Sequence, residues 1–216
     1  MTPAAGEPMP RTFVLASANP DKAAEIVAIL ACVPGLTLVP RPTYVPDVDE
    51  TGVTLEDNAR LKARALCEAT GMAAVADDTG LEVAALDGAP GVYSARYSGE
   101  HASYADNVAK LLAELDRVGA HTSEERRARF RSVAFVANPD DSELWVEGEV
   151  TGTITPEARG DGGFGYDPLF APDGFDGRTF AQMTAEEKHA ISHRGRAFRA
   201  LAERLAADDR TDGSGR

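Results

Sequence analysis

Two adjacent aspartates follow a short apolar run, and their position and chemistry suit a metal ion. The segment Asp77-Asp78-Thr79-Gly80 comes directly after residues 73–76, which predict a buried strand, and α/β proteins gather ligands where strands end. Neighbouring carboxylates repel each other, so burying them requires a cation or hydrogen bonds. Mg²⁺ commonly takes one or two carboxylates together with phosphate oxygens. The same four residues are also compatible with an Asx-type turn between two strands.

Further acids precede this segment. These acids are Glu50, which stands directly before Thr51-Gly52, and Glu56 and Asp57, which lie a few residues after Gly52. One of these carboxylates could complete a metal shell, but acids in this position are also typical of the first turn of a helix.

A second candidate site lies where the first predicted strand, 12–16, gives way to a helix. The junction consists of Ser17, Ala18, Asn19, Pro20, Asp21 and Lys22. Backbone N–H groups at a helix N-terminus favour an anion, and Lys22 adds positive charge one turn into the helix. The junction has no glycine, and no Ser or Thr follows the lysine, so it is not a Walker A loop. The alternative is a capped helix with a surface lysine.

A glycine-rich stretch near the C-terminus suits a planar ligand. It reads Gly162-Gly163-Phe164-Gly165-Tyr166-Asp167-Pro168, and its glycines let a ligand approach the backbone while Phe164 offers a stacking face. The aromatic residues could equally fill the core. A set of hydrogen-bond donors follows on a predicted helix: Lys188, Ser192, His193 and Arg194. The alternative for this set is a solvated basic helix end.

These candidate residues need a scaffold, and the hydrophobic pattern predicts one of mixed strands and helices. Strands are predicted at 12–16, 36–39, 73–76, 81–86, 129–137 and 144–155, from short apolar or alternating runs. Helices are predicted after Pro20, over 55–70 and 104–115, and from 184 onward, from apolar stripes and N-cap residues. This order predicts an α/β fold with a mixed sheet. We expect one domain over 12–207, between a flexible extension, 1–11, and a disordered tail, 208–216.

The amino-acid composition and net charge of the chain argue against several classes of function. Hydrophobic residues make up 43% of the 216-residue chain, enough for a folded core. The formal net charge of −13 repels polyphosphate backbones, which argues against a nucleic-acid partner. No run approaches the roughly 18 apolar residues that a membrane span needs. Cys32 and Cys67 show neither metal-ligand spacing nor a disulfide framework, so we expect a cytoplasmic setting and no membrane partner.

The candidate residues also belong to a series of motifs in a fixed order. The series is Ser17-x-Asn19-x-x-Lys22, Glu50-Thr51-Gly52, Glu56-x-Asn58 with Lys62, Ala76-Asp77-Asp78-Thr79-Gly80, Gly88-Ala89-Pro90-Gly91-x-Tyr93-Ser94-Ala95-Arg96, Gly163-Phe164-Gly165-Tyr166-Asp167-Pro168, and Lys188 with Ser192-His193-Arg194. It resembles the inosine triphosphate pyrophosphatase family, also called dITP/XTP diphosphatases, over about residues 13–205. The segment Arg117 to Glu125 departs from the family as a longer, polar insertion.

The resemblance implies a fold and an activity. It implies a long mixed central sheet flanked by helices, with two lobes and the active site in the cleft between them. Family members are Mg²⁺-dependent homodimers that hydrolyse XTP, ITP and dITP to the monophosphate and pyrophosphate, removing deaminated purines.

It also implies a role for each matching residue. Asp78 would be the proton acceptor and a metal ligand, and Glu50 would be a second metal ligand. Lys22 and the rest of the segment from Ser17 would bind phosphates, and Thr79 would contact substrate. The nucleobase pocket would consist of Phe164, Gly165, Tyr166, Asp167, Lys188, His193 and Arg194.

Three other classes fit less well. Haloacid dehalogenase phosphatases carry an Asp-x-Asp order, whereas Thr79 stands two residues after Asp77. Pyrophosphatases for modified pyrimidines open with a Ser-rich, double-arginine motif that this chain lacks. A nucleotide-binding module without turnover has no need of a general base, yet Asp78, Lys22 and Glu50 are all present.

Overall fold

A computed structural model describes residues 11–17, 19–31 and 33–212 of the protein. The predictions made for residues 1–10, Ala18, Cys32 and 213–216 lie outside the described residues. The strands are β1 (Arg11–Leu15), β2 (Leu36–Val39), β3 (Ala74–Val83), β4 (Pro90–Gly91), β5 (Arg127–Ala137), β6 (Glu143–Ile154) and β7 (Phe170–Pro172). The helices are α1 (Pro20–Leu30), α2 (Leu55–Thr70), α3 (Tyr104–Arg117), α4 (Ala185–Ile191) and α5 (His193–Asp212). Short 3₁₀ helices occupy Ala84–Leu86, Ser94–Arg96 and Phe180–Gln182.

The strands form one mixed sheet. Its order is β2-β1-β3-β5-β6-β7, with β4 paired to β3. β1 is parallel to both β2 and β3, whereas β3 and β4, and β6 and β7, are antiparallel pairs. The predicted α/β class with a mixed central sheet flanked by helices is therefore confirmed. The cleft between two lobes stays a prediction.

The alternative of an Asx-type turn at Asp77-Asp78-Thr79-Gly80, between strands at 73–76 and 81–86, is wrong, because β3 runs through all four residues. Its first residues pair with β1 at Ala74 and Val75, and its later residues pair with β4 at Leu81 and Glu82. Partners along the strand satisfy its backbone N–H and C=O groups, and this pairing outweighs the turn preference of Asp and Gly. The strand ends at Val83, and Ala84–Leu86, predicted as strand, form a 3₁₀ helix.

The chain divides into two compact units. The first contains the described residues up to Asp78, Val133–Glu147, and the described residues from Arg196 onward. Its apolar core comes from β1, α1, β3, β5 and α5, with Phe13, Ile26 and Phe198 among its buried members. The helix α5 continues to Asp212, beyond the predicted domain end at 207.

The second unit contains Thr79–Ser132 and Gly148–Gly195. Its core is built around three phenylalanines, since the ring centre of Phe170 lies 4.8 Å from that of Phe130 and 5.2 Å from that of Phe180. Leu111 and Leu115 of α3 belong to the same core. No helix among the residues that the structure describes is long and apolar enough to cross a membrane.

Candidate active site

In the first unit, three carboxylates and two lysines form what we call the acidic cluster: Asp77, Asp78, Glu50, Lys22 and Lys62. The aspartates are buried, with exposures of 3% and 4%. The Nζ of Lys62 donates to Asp78 Oδ1 at 2.8 Å and to Glu50 Oε1 at 2.9 Å. The Nζ of Lys22 lies 3.8 Å from Asp77 Oδ2. Each buried aspartate thus has an ammonium group beside it, which offsets the cost of burying its charge.

Asn58 holds the other oxygen of Asp78. Its side chain is fully buried, and its Nδ2 donates to Asp78 Oδ2 at 3.3 Å. Its Oδ1 accepts the backbone N–H of Gly52 at 2.8 Å, which fixes the direction of the amide. A Cβ on Gly52 would lie 2.6 Å from that same oxygen, so the glycine is required for the close approach. Asn58 and Lys62 share one face of α2, because they are four residues apart.

The surroundings of Asp78 change its proton affinity. Burial raises the pKa of Asp78 above its usual value, although the ammonium groups of Lys62 and Lys22 act in the opposite direction. Burial alone would lower the pKa of Lys62, but the charges of Asp78, Glu50 and Asp77 outweigh it and raise that pKa. Lys62 is therefore a cation at neutral pH. Asp78 holds a proton more strongly than an exposed aspartate does, and this suits a group that accepts one from water.

The donor set fits a hard divalent metal that also binds substrate. Three carboxylates and two lysines leave the cluster with one negative charge in excess. Within the described ranges, no group of three or more His, Cys, Asp or Glu is arranged to hold a metal ion by itself. Mg²⁺ does not require such a cage, because one or two carboxylates with phosphates and waters suffice. Asp78 and Glu50, which converge on Lys62, are the pair that fits this requirement.

The side chain of Asn19, the residue before α1, caps the N-terminus of that helix. Asn19 Oδ1 accepts the backbone N–H groups of Asp21 and Lys22 at 2.9 and 3.2 Å, and Pro20 is the first helical residue. The hydroxyl of Ser17 donates to the carbonyl of Asn19 at 3.2 Å. Asn19 thus already takes up two N–H groups that the sequence suggested for an anion. The main contribution of this segment to the acidic cluster is the ammonium group of Lys22.

In the second unit, the glycine-rich stretch and two cations form what we call the aromatic cluster: Phe164, Asp167, Lys188, Arg194 and Thr79. Lys188 is buried, and its Nζ donates to Asp167 Oδ2 at 2.6 Å. The same Nζ lies 4.6 Å from the ring centre of Phe164, and the guanidinium carbon of Arg194 lies 5.6 Å from it. A half-buried ring with two cations beside it gives this cluster both a stacking surface and hydrogen-bond donors.

Arg194 donates to a hydroxyl group that is itself hydrogen-bonded to a second one. Its Nη2 donates to Thr79 Oγ1 at 3.1 Å, and Thr79 Oγ1 in turn donates to Ser132 Oγ at 3.1 Å. Because a guanidinium only donates, the threonine oxygen must accept from Arg194, which directs its own proton to Ser132. Ser132 is fully buried in β5, and no motif in the sequence pointed to it.

Of the remaining residues predicted for the base pocket, Tyr166 and His193 are buried in the second unit, whereas Gly165 is only partly buried. His193 stacks on Phe130 with ring centres 4.5 Å apart and planes 15° apart. Tyr166 donates its hydroxyl to the carbonyl of Ser94 at 3.0 Å, and burial raises its pKa. These two aromatic residues therefore contact the core of the second unit.

The predicted last helical region is split in two. Ser192 is extended, with φ −65° and ψ 157°, and ends α4. Its Oγ accepts the backbone N–H of Gly195 at 3.0 Å, so it helps to satisfy the start of α5. The serine hydroxyl thus acts as an N-cap for α5, as is usual for this residue type. Lys188 and Arg194 therefore belong to different helices.

The Ham1 family model matches residues 13–204, nearly all of the chain. The chain belongs to the Ham1 family. A Ham1 relative, the dITP/XTP pyrophosphatase of Streptomyces coelicolor, is 51% identical over 193 residues, covering 88% of this chain and 94% of that protein. A dITP/XTP pyrophosphatase of Mycobacterium tuberculosis is 50% identical over 197 residues, covering 89% and 94%. The family predicted from the motifs is confirmed.

Solved Ham1 structures share the fold. A HAM1 protein from Coxiella burnetii superposes with a TM-score of 0.82 at 40% identity, covering 91% of this chain and 99% of that chain. The nucleoside-triphosphatase / dITP/XTP pyrophosphatase from Mycobacterium abscessus gives a TM-score of 0.70 at 47% identity, covering 88% and 98%.

Replacing Gly163 by alanine should destabilise the aromatic cluster more than replacing Gly165 does. Both glycines have positive φ, 68° and 62°, so alanine costs about 1–2 kcal/mol of backbone strain at either site. A Cβ at Gly163 would also lie 2.1 Å from Asp167 Oδ2, whereas one at Gly165 meets nothing within 4 Å. We expect Gly163→Ala to lose about 1–3 kcal/mol more unfolding free energy than Gly165→Ala, measured by urea denaturation. Equal losses would contradict the collision.

Proposed function

We propose that this Ham1-family protein is a nucleoside triphosphate pyrophosphatase. It hydrolyses the non-standard purine nucleotides XTP, ITP and dITP to the monophosphate and pyrophosphate, and so removes deaminated purines from the nucleotide pool. The observation that carries the proposal is the buried Asp78, which Lys62 and Asn58 hold by its two oxygens. The substrate class rests on the relatives named dITP/XTP pyrophosphatase, which share about half of their residues with this chain.

The acidic cluster supplies the proton acceptor. In the proposed reaction a water oxygen bonds to the α-phosphorus, the bond from that phosphorus to the bridging oxygen breaks, and pyrophosphate leaves. Asp78 takes the proton that the water loses, and burial favours its protonated form. Each carboxylate oxygen has two lone pairs, so the bonds to Lys62 and Asn58 leave room for a water.

The charge of the triphosphate must also be balanced. We propose Asp78 and Glu50 as the ligands of Mg²⁺, which when bound would neutralise phosphate charge. Lys22 brings a further positive charge, and its partner Asp77 keeps that ammonium beside β3. Asp77 therefore acts on the electrostatics of the cluster and on the position of Lys22.

The aromatic cluster supplies base recognition. Phe164 offers a stacking surface, and Lys188 and Arg194 are donors that suit the 6-oxo group of hypoxanthine and xanthine. Adenine carries an amino group at that position, which leaves such donors unpaired. A buried unpaired donor costs about 1–3 kcal/mol, so ATP binds and reacts less well.

We further propose that the protein works in the cytoplasm as a homodimer, as the family resemblance implies. Its partner molecules are nucleoside triphosphates, and the net charge of −13 disfavours nucleic acid.

Product analysis tests the reaction. The purified protein with Mg²⁺ should convert ITP, dITP and XTP to monophosphate and pyrophosphate, with ATP about 5- to 150-fold slower, as 1–3 kcal/mol implies. Chromatography of the nucleotide and an enzymatic pyrophosphate assay identify the products. Orthophosphate and diphosphate nucleotides would contradict the proposed bond cleavage. Nucleotide binding without any product would favour a regulatory binding module instead.

Asp78→Asn should remove hydrolysis, because an amide cannot accept the proton of the attacking water. We expect a loss of kcat of at least about 100-fold, with the melting temperature showing that the fold persists. Asp87→Asn is the matched control, since Asp87 is exposed with φ 52°, a conformation that asparagine also adopts. Wild-type rates in Asp78→Asn would remove Asp78 from the mechanism.

Arg194→Ala should reduce the discrimination between ITP and ATP, because the donor held by Thr79 and Ser132 is lost. We expect the ratio of kcat/KM for the two substrates to fall by about 5- to 100-fold. Arg194 is fully buried, so Arg194→Lys, which keeps the charge, serves as the second variant. An unchanged ratio in folded Arg194→Ala and Arg194→Lys would assign selectivity to other residues.

A further inference from the structure

An exposed tyrosine stands beside the aromatic cluster. Tyr104 is the first residue of α3, and its ring centre lies 5.9 Å from that of Phe164, with the planes 36° apart. Its exposure of 41% is high for a large aromatic residue that contacts another. The sequence motifs do not include it, and it takes no part in the chemistry derived above.

We propose that Tyr104 is a second aromatic contact for the purine base and raises the affinity for purine nucleotides. The inference rests on the proposed function, because it assumes that the base lies against Phe164. It assigns Tyr104 a role in binding and none in the chemical step.

Side chains other than Tyr104 cap the start of α3. Ser103 and Asp106 form a capping box, in which Ser103 Oγ accepts the N–H of Asp106 at 3.2 Å and Asp106 Oδ2 accepts the N–H of Ser103 at 2.9 Å. Asn107 then ties the helix to the 94–98 segment by bonds to Ala95 and Ser98. These contacts satisfy backbone groups at the helix end, and none of them involves the tyrosine ring.

The position of Tyr104 on the helix supports this reading. It continues the buried stripe of Asn107, Leu111 and Leu115, since residues spaced by three, four and seven share a helix face. The three other members are buried, whereas Tyr104 is not. The stripe thus leaves the core at the end of α3 where Phe164 lies.

The tilt between the two rings defines how a base would meet them. A base parallel to Phe164 cannot also be parallel to Tyr104, since the planes differ by 36°. It therefore meets Tyr104 obliquely, and tilted contacts of this kind are favourable between aromatic rings. A two-ring purine reaches beyond the area of a single phenylalanine, so the second ring matters most for purines.

The test compares Tyr104→Ala with Tyr104→Phe and with Tyr44→Ala, which removes another exposed tyrosine. Calorimetry measures the Kd of inosine 5′-monophosphate, which requires no turnover, and kinetics measure KM and kcat for ITP. We expect Tyr104→Ala to raise the Kd and KM by about two- to tenfold, with kcat and the melting temperature unchanged. Tyr104→Phe and Tyr44→Ala should match the wild type, because the ring and not the hydroxyl makes the contact.

The results separate this inference from the proposed function. An unchanged or tighter Kd in Tyr104→Ala, or an equal loss in Tyr104→Phe, overturns the role of the ring even if ITP is hydrolysed. A loss of kcat without a change in KM or Kd also overturns it. A wild-type protein that binds inosine monophosphate through Tyr104 but releases no pyrophosphate from ITP refutes the reaction and leaves the base contact. A wild-type protein that does not bind the monophosphate refutes the base contact.

Discussion

Burying Asp77 and Asp78 side by side in a paired strand is the constraint on which the first unit depends. Each carboxylate would lose several kcal/mol of hydration if it had no partner in the protein. The chain meets this cost with groups from two helices: Lys22 lies in the first turn of α1, and Asn58 and Lys62 lie one turn apart on α2. The backbone positions of α1, α2 and β3 are thus tied to one set of charges. Removing either lysine would leave a buried carboxylate without its nearest ammonium group, which is far costlier than losing a surface ion pair.

The charge balance of the two clusters suits two different ligand chemistries. The acidic cluster keeps one negative charge in excess, which favours a divalent cation. The aromatic cluster pairs one carboxylate, Asp167, with two cations, Lys188 and Arg194. The aromatic cluster therefore carries one positive charge in excess, which favours an electron-rich oxygen atom on a ring. The peptide bond between Asp78 and Thr79 joins a residue of the first cluster directly to one of the second.

Local signals predicted much of this arrangement, and the misses have physical causes. The capping boxes of α2 and α4, built from Thr54 with Asp57 and Thr184 with Glu187, act over three residues and can be recognised in the chain. The turn-forming residue types of Asp77 to Gly80 favoured a turn, but these residues form a strand because they pair with strands that are distant in the sequence. Ser132 gave no signal at all, since its partner Thr79 is 53 residues away. Tyr104 lies 60 residues from Phe164 in the chain, and local sequence patterns do not predict contacts between residues so far apart.

In the glycine-rich stretch, the structural role of one glycine differs from the role that the motif suggested. Its glycines suggested room for a ligand near the backbone, but Gly163 makes room for a side chain of the protein. The Oδ2 of Asp167 accepts both the backbone N–H of Phe164 at 2.8 Å and the Nζ of Lys188 at 2.6 Å. One oxygen therefore sets the place of the ring and of the cation beside it. Because a charge-assisted bond of this length is strong, the backbone at Phe164 is held in place by the protein itself, and under the proposed function a base would not have to supply the ordering free energy of that loop.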